Sequence, residues 1–116
     1  MPLRMSEREF ENLVGDALDL LPEELMHAMS NVVILVRPHN EDDPGILGLY
    51  TGVALTERTT EYSGFLPDTI EIYREPLLAM CHSAEQLRRE VAITVLHEVG
   101  HHFGISDEWL HANGWG

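Results

Sequence analysis

The residues His97-Glu98-Val99-Gly100-His101-His102-Phe103-Gly104-Ile105-Ser106-Asp107 place two imidazoles, a glycine and two carboxylates at a spacing suited to one metal ion. On a helix, side chains at i and i+4 project about 40° apart, one turn above the other. His97 and His101 can therefore offer two nitrogens to one cation. Glu98 projects to the same side. It is too close in sequence to complete a tetrahedral ligand set, but it is placed to reach a water on the cation, where a general base belongs. Gly104 supplies the left-handed residue that ends a helix and turns the chain back.

A tetrahedral catalytic site takes three protein ligands and leaves its fourth position for water. The third ligand here must come from Asp107, Glu108 or His111, or from upstream. Asp107 ranks first, because metalloproteases whose third ligand follows a glycine turn use this spacing; His111 ranks second. Three fixed residues in five recur in unrelated helices. The extended pattern is far rarer, on the order of one chance match in millions of start positions. His102 aligns with Val91 and Val95 in helical projection and reads as a core histidine instead of a ligand. Tyr50, Tyr62, Tyr73 and His111 are candidates for stabilising an oxyanion, and the sequence does not choose among them.

Bulk properties narrow the classes. The 116 residues correspond to one domain over 1–116, large enough for a hydrophobic core. The formal charge is -13, there is no lysine, and the seven basic residues are scattered arginines. That argues against a nucleic-acid partner, which needs a basic patch. Cys81 is the only cysteine, so no intrachain disulfide can form; it reads as a small hydrophobe just before a helix. Residues 1–12 lack an apolar signal core, and no apolar run approaches the ~20 residues of a membrane span. The expected location is a reducing cytoplasm, away from membranes.

The positioning elements follow in α+β order. Ser6-Glu7-Arg8-Glu9 is a capping box, and Phe10, Leu13, Val14, Ala17, Leu18 and Leu21 continue with helical spacing. This predicts a helix to about residue 20 covering one face of a sheet. Pro22 permits a short helical turn through Met29, with Met26 and Met29 in the core and His27 exposed. Residues 31–37 are β-branched and bounded by Pro38, and predict a buried strand. Residues 38–48 form an acidic, solvated loop. Residues 49–55 are interrupted by Gly52 and predict a weak or edge strand. Tyr62-Ser63-Gly64 suggests a turn, and residues 69–74 alternate as a half-buried strand. Ser83-Ala84-Glu85-Gln86 is a second capping box, opening the helix that carries the histidines. Residues 91–96 are apolar on nearly every side, which predicts a central helix. Gly100 costs about 1 kcal/mol relative to alanine there, so a backbone approaching closely is expected.

The motif resembles that of the metzincin branch of zinc metalloproteases, with aspartate replacing the usual third histidine. Over roughly residues 6–111 the chain also resembles a small bacterial family of minimal zincin-like proteins. The resemblance rests on Gly48-Leu49-Tyr50-Thr51-Gly52-Val53, Leu55-Thr56-Glu57-Arg58, Leu66-Pro67-Asp68, Ile72-Tyr73-Arg74-Glu75-Pro76-Leu77 and the segment from His97 through Asp107. It implies a compact zincin-like fold, with a small mixed sheet packed on an N-terminal helix and a central active-site helix. It implies one Zn2+ held by His97, His101 and Asp107, Glu98 as the base, and a peptide or short protein segment as substrate. Metzincins place a methionine turn beneath the metal; no methionine follows Asp107 here, so ligand support must come from elsewhere. The alternatives are a metal-binding or interaction domain without catalysis, and an amidase-like hydrolase.

Overall fold

The computed structural model describes residues 3–112. These form an α+β arrangement of five helices and a three-stranded mixed sheet. The helices are α1 (Glu7–Leu18), α2 (Glu23–Ala28), α3 (Arg74–Met80), α4 (Ala84–His102) and α5 (Asp107–Ala112). The strands are β1 (Val32–Arg37), β2 (Gly48–Thr51) and β3 (Asp68–Tyr73), in the order β1-β3-β2. β3 is central, parallel to β1 and antiparallel to β2.

Both expected caps form. Ser6 Oγ accepts from the Glu9 N–H at 3.1 Å, and Ser83 Oγ accepts from the Gln86 N–H at 3.1 Å. Each satisfies one orphan donor at a helix start. α4 is central because it has three working rows. Leu87, Val91, Val95 and Val99 pack with Phe10, Val14 and Ala17 of α1 and with Ile70 and Ile72 of β3. Thr94 and Glu98 lie beneath the start of β2, and His97 and His101 form the third row. The sheet edge follows from the ladder. The Tyr73 N–H donates to the Leu47 carbonyl, and antiparallel alternation then turns the backbone groups of Gly48 and Tyr50 outward.

Several expectations need correction. α1 packs along α4 as well as against the sheet, and its last helical residue is Leu18. Residues 32–37 form an edge strand, not a buried one: β1 pairs on one side alone, and while Val32, Ile34 and Val36 pack on the core, Val33 on the opposite face is 41% exposed. Met26 is exposed, since α2 has no buried residue, whereas Met29 packs on the core. α3 has no counterpart in the sequence pattern; it starts directly after β3 with no intervening loop. Gly100 is approached by the side chain of Leu110, not by backbone.

The sheet, the loop after β2 and the end of α4 meet at Asp68. Its buried carboxylate accepts from the Tyr50 hydroxyl, the Val53 N–H at 3.2 Å, Arg58 Nη2 at 2.9 Å and His102 Nδ1 at 3.3 Å. His102 Nε2 accepts from the Ser30 N–H at 3.2 Å, so Nδ1 carries the proton and the ring is the neutral donor to Asp68. His102 is thus the core histidine expected. Burial lowers its pKa, against the pull of Asp68. Burial alone would raise the pKa of Asp68, but the bonds from Tyr50, Val53 and Arg58 outweigh it and hold the carboxyl below its ordinary value. Stability from a depressed carboxyl is present above the unfolded pKa of about 3.9 and disappears as pH falls through the folded value. Asp68→Asn should therefore cost about 2–4 kcal/mol in urea unfolding at pH 7, and the deficit should shrink below about pH 4. A deficit independent of pH would contradict this assignment.

Candidate metal centre

α4 ends in a Schellman turn. The Ile105 N–H donates to the Gly100 carbonyl at 2.9 Å and the Gly104 N–H to the His101 carbonyl at 2.9 Å, with Gly104 at φ +81. A Cβ on Gly104 would sit 2.0 Å from Thr56 Oγ1 in the 3-10 turn Leu55–Glu57. Glycine is thus required for both conformation and space. Ser106 caps α5, its Oγ accepting from the Trp109 N–H at 3.2 Å. Leu110, fully buried, presses α5 against Gly100. This packing holds α5 against the end of α4.

The bend returns Asp107 to the two imidazoles. Asp107 Oδ1 lies 3.1 Å from His97 Nε2 and 2.9 Å from His101 Nε2, and the two Nε2 atoms are 3.1 Å apart. Among the described residues these three form the one cluster of histidine, cysteine or acidic side chains able to hold a metal ion. Three lone-pair-bearing atoms this close need a shared proton or a cation between them. Tetrahedral zinc with bonds of ~2.0–2.1 Å sets its ligand atoms about 3.3 Å apart, close to these separations. The donor set fits zinc. Glu108 stands outside the cluster, and His111 lies edge-on to His97 with ring centroids 5.9 Å apart.

Glu98 is buried beside the cluster. Burial raises its pKa and the Asp107 carboxylate acts in the same direction; the neighbouring His97 and His101 rings and a hydrogen bond from the Tyr50 N–H oppose them. Gly48 makes this possible, since a Cβ there would meet Thr94 Cγ2 at 2.9 Å and Glu98 Cγ at 3.2 Å. No sequence signal marks the Tyr50 N–H contact; it depends on which backbone groups of β2 turn outward. A cleft of about 550 Å³ opens over the site, lined by β2, Ala54, Glu57, His97, Glu98, His101 and Asp107 among others. Three of the four oxyanion candidates have their hydroxyls engaged: Tyr50 by Asp68, Tyr62 by Asn31, and Tyr73 by Glu71 and Asn40.

Comparison with protein families matches residues 29–115 to the zincin-like metallopeptidases. The chain belongs to that family. Membership implies zinc binding. The zincin-like chain is also similar in fold to a solved structure, a conserved hypothetical protein from Thermus thermophilus. The TM-score is 0.59 at 24% identity, covering 93% of this chain and 99% of the other. A search of curated proteins gives no match. Among the described residues, no helix of this zincin-like chain is long and apolar enough to cross a membrane.

Gly104→Ala tests the bend. It should lower zinc affinity by at least roughly tenfold in a chelator competition assay, because Asp107 is displaced. Gly15→Ala, with nothing within 4 Å of the added Cβ, should leave zinc affinity unchanged and stabilise the fold by about 0.5–1 kcal/mol. Equal zinc affinity in Gly104→Ala and the unaltered protein would refute the role given to the bend.

Proposed function

We propose that this chain is a zinc-dependent peptidase in which His97, His101 and Asp107 hold one Zn2+ and Glu98 is the general base. The observation that carries this reading is the convergence of the two Nε2 atoms and Asp107 Oδ1 within 2.9–3.1 Å of one another, beside a buried glutamate. When bound, zinc supplies Lewis acidity and a water far more acidic than bulk water.

The chain's own residues supply the rest. A substrate segment lies along β2, where the outward backbone groups of Gly48 and the Tyr50 carbonyl offer main-chain pairing. Glu98 accepts the proton of the attacking water on its carboxylate and delivers it to the leaving amine nitrogen as the peptide C–N bond breaks and the new C–O bond forms. The Tyr50 N–H steadies that carboxylate, and Gly48 leaves the space it occupies. His111, the fourth oxyanion candidate, lies edge-on to His97 with ring centroids 5.9 Å apart. The cleft is open and shallow-walled, which suits a peptide or short protein segment in extended form.

The zinc-loaded protein should cleave peptides, and Glu98→Gln should lower kcat by roughly 10²–10⁴-fold while retaining one zinc per chain. Full zinc content with no hydrolysis across a broad peptide library would instead assign a metal-binding role. Cleavage confined to non-peptide amides would assign an amidase.

A further inference from the structure

A second recess, of about 240 Å³, adjoins the metal centre on the upstream side of α4. It shares His97 and Glu98 with the main cleft and extends to Leu47, Ile93, Thr94 and Glu90. Its walls are mostly apolar for identifiable reasons. The Thr94 hydroxyl is used inside the helix, donating to the Glu90 carbonyl at 2.8 Å, and its methyl is the group nearest a Cβ built on Gly48. Leu47 and Ile93 are half-buried. The wall's polar exception beyond the shared site is Glu90, one helical turn before Thr94. No arginine lines either the recess or the main cleft. Glu57, Glu98 and Asp107 in the main cleft are also acidic, so an incoming cation meets only carboxylates and imidazoles.

Resting on the peptidase reading above, we infer that this recess selects a long cationic side chain, arginine or lysine, on a substrate residue flanking the scissile bond. The aliphatic stem packs on Leu47, Ile93 and the Thr94 methyl, and the charged head reaches the Glu90 carboxylate. This division suits residues that bury an apolar stem while keeping a charged tip at the rim. Glu90 is then the specificity-determining residue. The chain's charge of -13 acts in the same direction by drawing basic segments toward the cleft.

The test uses peptides identical except at the positions flanking the cleaved bond, with arginine, leucine or glutamate in turn. At one of those positions, kcat/KM should favour arginine over leucine by roughly fivefold. Glu90→Gln should remove that advantage, and Glu90→Arg should transfer it to glutamate. A binding arm uses zinc-loaded Glu98→Gln protein and fluorescein-labelled versions of the same peptides. The arginine peptide should bind more tightly than the glutamate peptide, with the ratio shrinking at high salt. Circular dichroism and zinc content verify that each Glu90 variant is folded. Cleavage without charge preference, or a preference unchanged in Glu90→Gln, overturns the inference and leaves the peptidase reading standing. Charge-selective binding that depends on Glu90, without cleavage by the unaltered protein, keeps the recess and removes the peptidase reading. No binding of any peptide overturns the inference.

Discussion

Asp107 follows the end of α4 so closely that it can join two imidazoles on that helix only if the chain doubles back at once. Gly104 enforces this reversal. Its positive φ closes the Schellman turn, and its missing side chain admits Thr56 to 2.0 Å of where a Cβ would stand. Ser106 then starts α5, and Leu110 fastens α5 to Gly100. The two glycines near the end of α4 therefore do different jobs. Gly100 lets α5 pack against α4, and Gly104 sets the direction from which α5 arrives.

The end of α4 is held from below by Asp68. This carboxylate collects the Tyr50 hydroxyl, Arg58, the Val53 N–H and His102. A buried charge is tolerable only when its lone pairs are used, and here they are used by groups from β2, the loop after it and α4. His102 is next to His101, so the same network that satisfies Asp68 also fixes the helix end that carries His97 and His101. Tyr50 links the two levels: its side chain joins Asp68 and its backbone N–H joins Glu98.

The candidate site is legible in the sequence because its parts are local. Helical periodicity aligns His97 with His101, and the glycine stop at Gly104 predicts a return of the chain at Asp107. His102 is readable as a core residue for the same reason. Longer-range features are hidden. The segments Leu55-Thr56-Glu57-Arg58 and Leu66-Pro67-Asp68 mark the family resemblance, but their purpose emerges only when Thr56 meets Gly104 and Arg58 meets Asp68. β1 reads as buried because its residues from Val32 to Val36 are all apolar, yet edge or centre is decided by strand order, which composition does not encode. α3 escapes a sequence reading because it begins at Arg74 directly after β3, without the loop that ordinarily signals a change of element. The recess at Glu90 depends on Leu47 and Gly48 approaching α4 from far away in sequence.

The central claim is geometric, so coordination should be measured directly. A crystal of the zinc-loaded protein, with diffraction recorded on both sides of the zinc absorption edge, locates the ion by its anomalous signal. The account predicts a single peak about 2.0–2.2 Å from His97 Nε2, His101 Nε2 and an Asp107 carboxylate oxygen, with Glu98 near it but not bound. A peak that engages the histidines while Asp107 stands away, or no peak at this site in zinc-replete crystals, would contradict it.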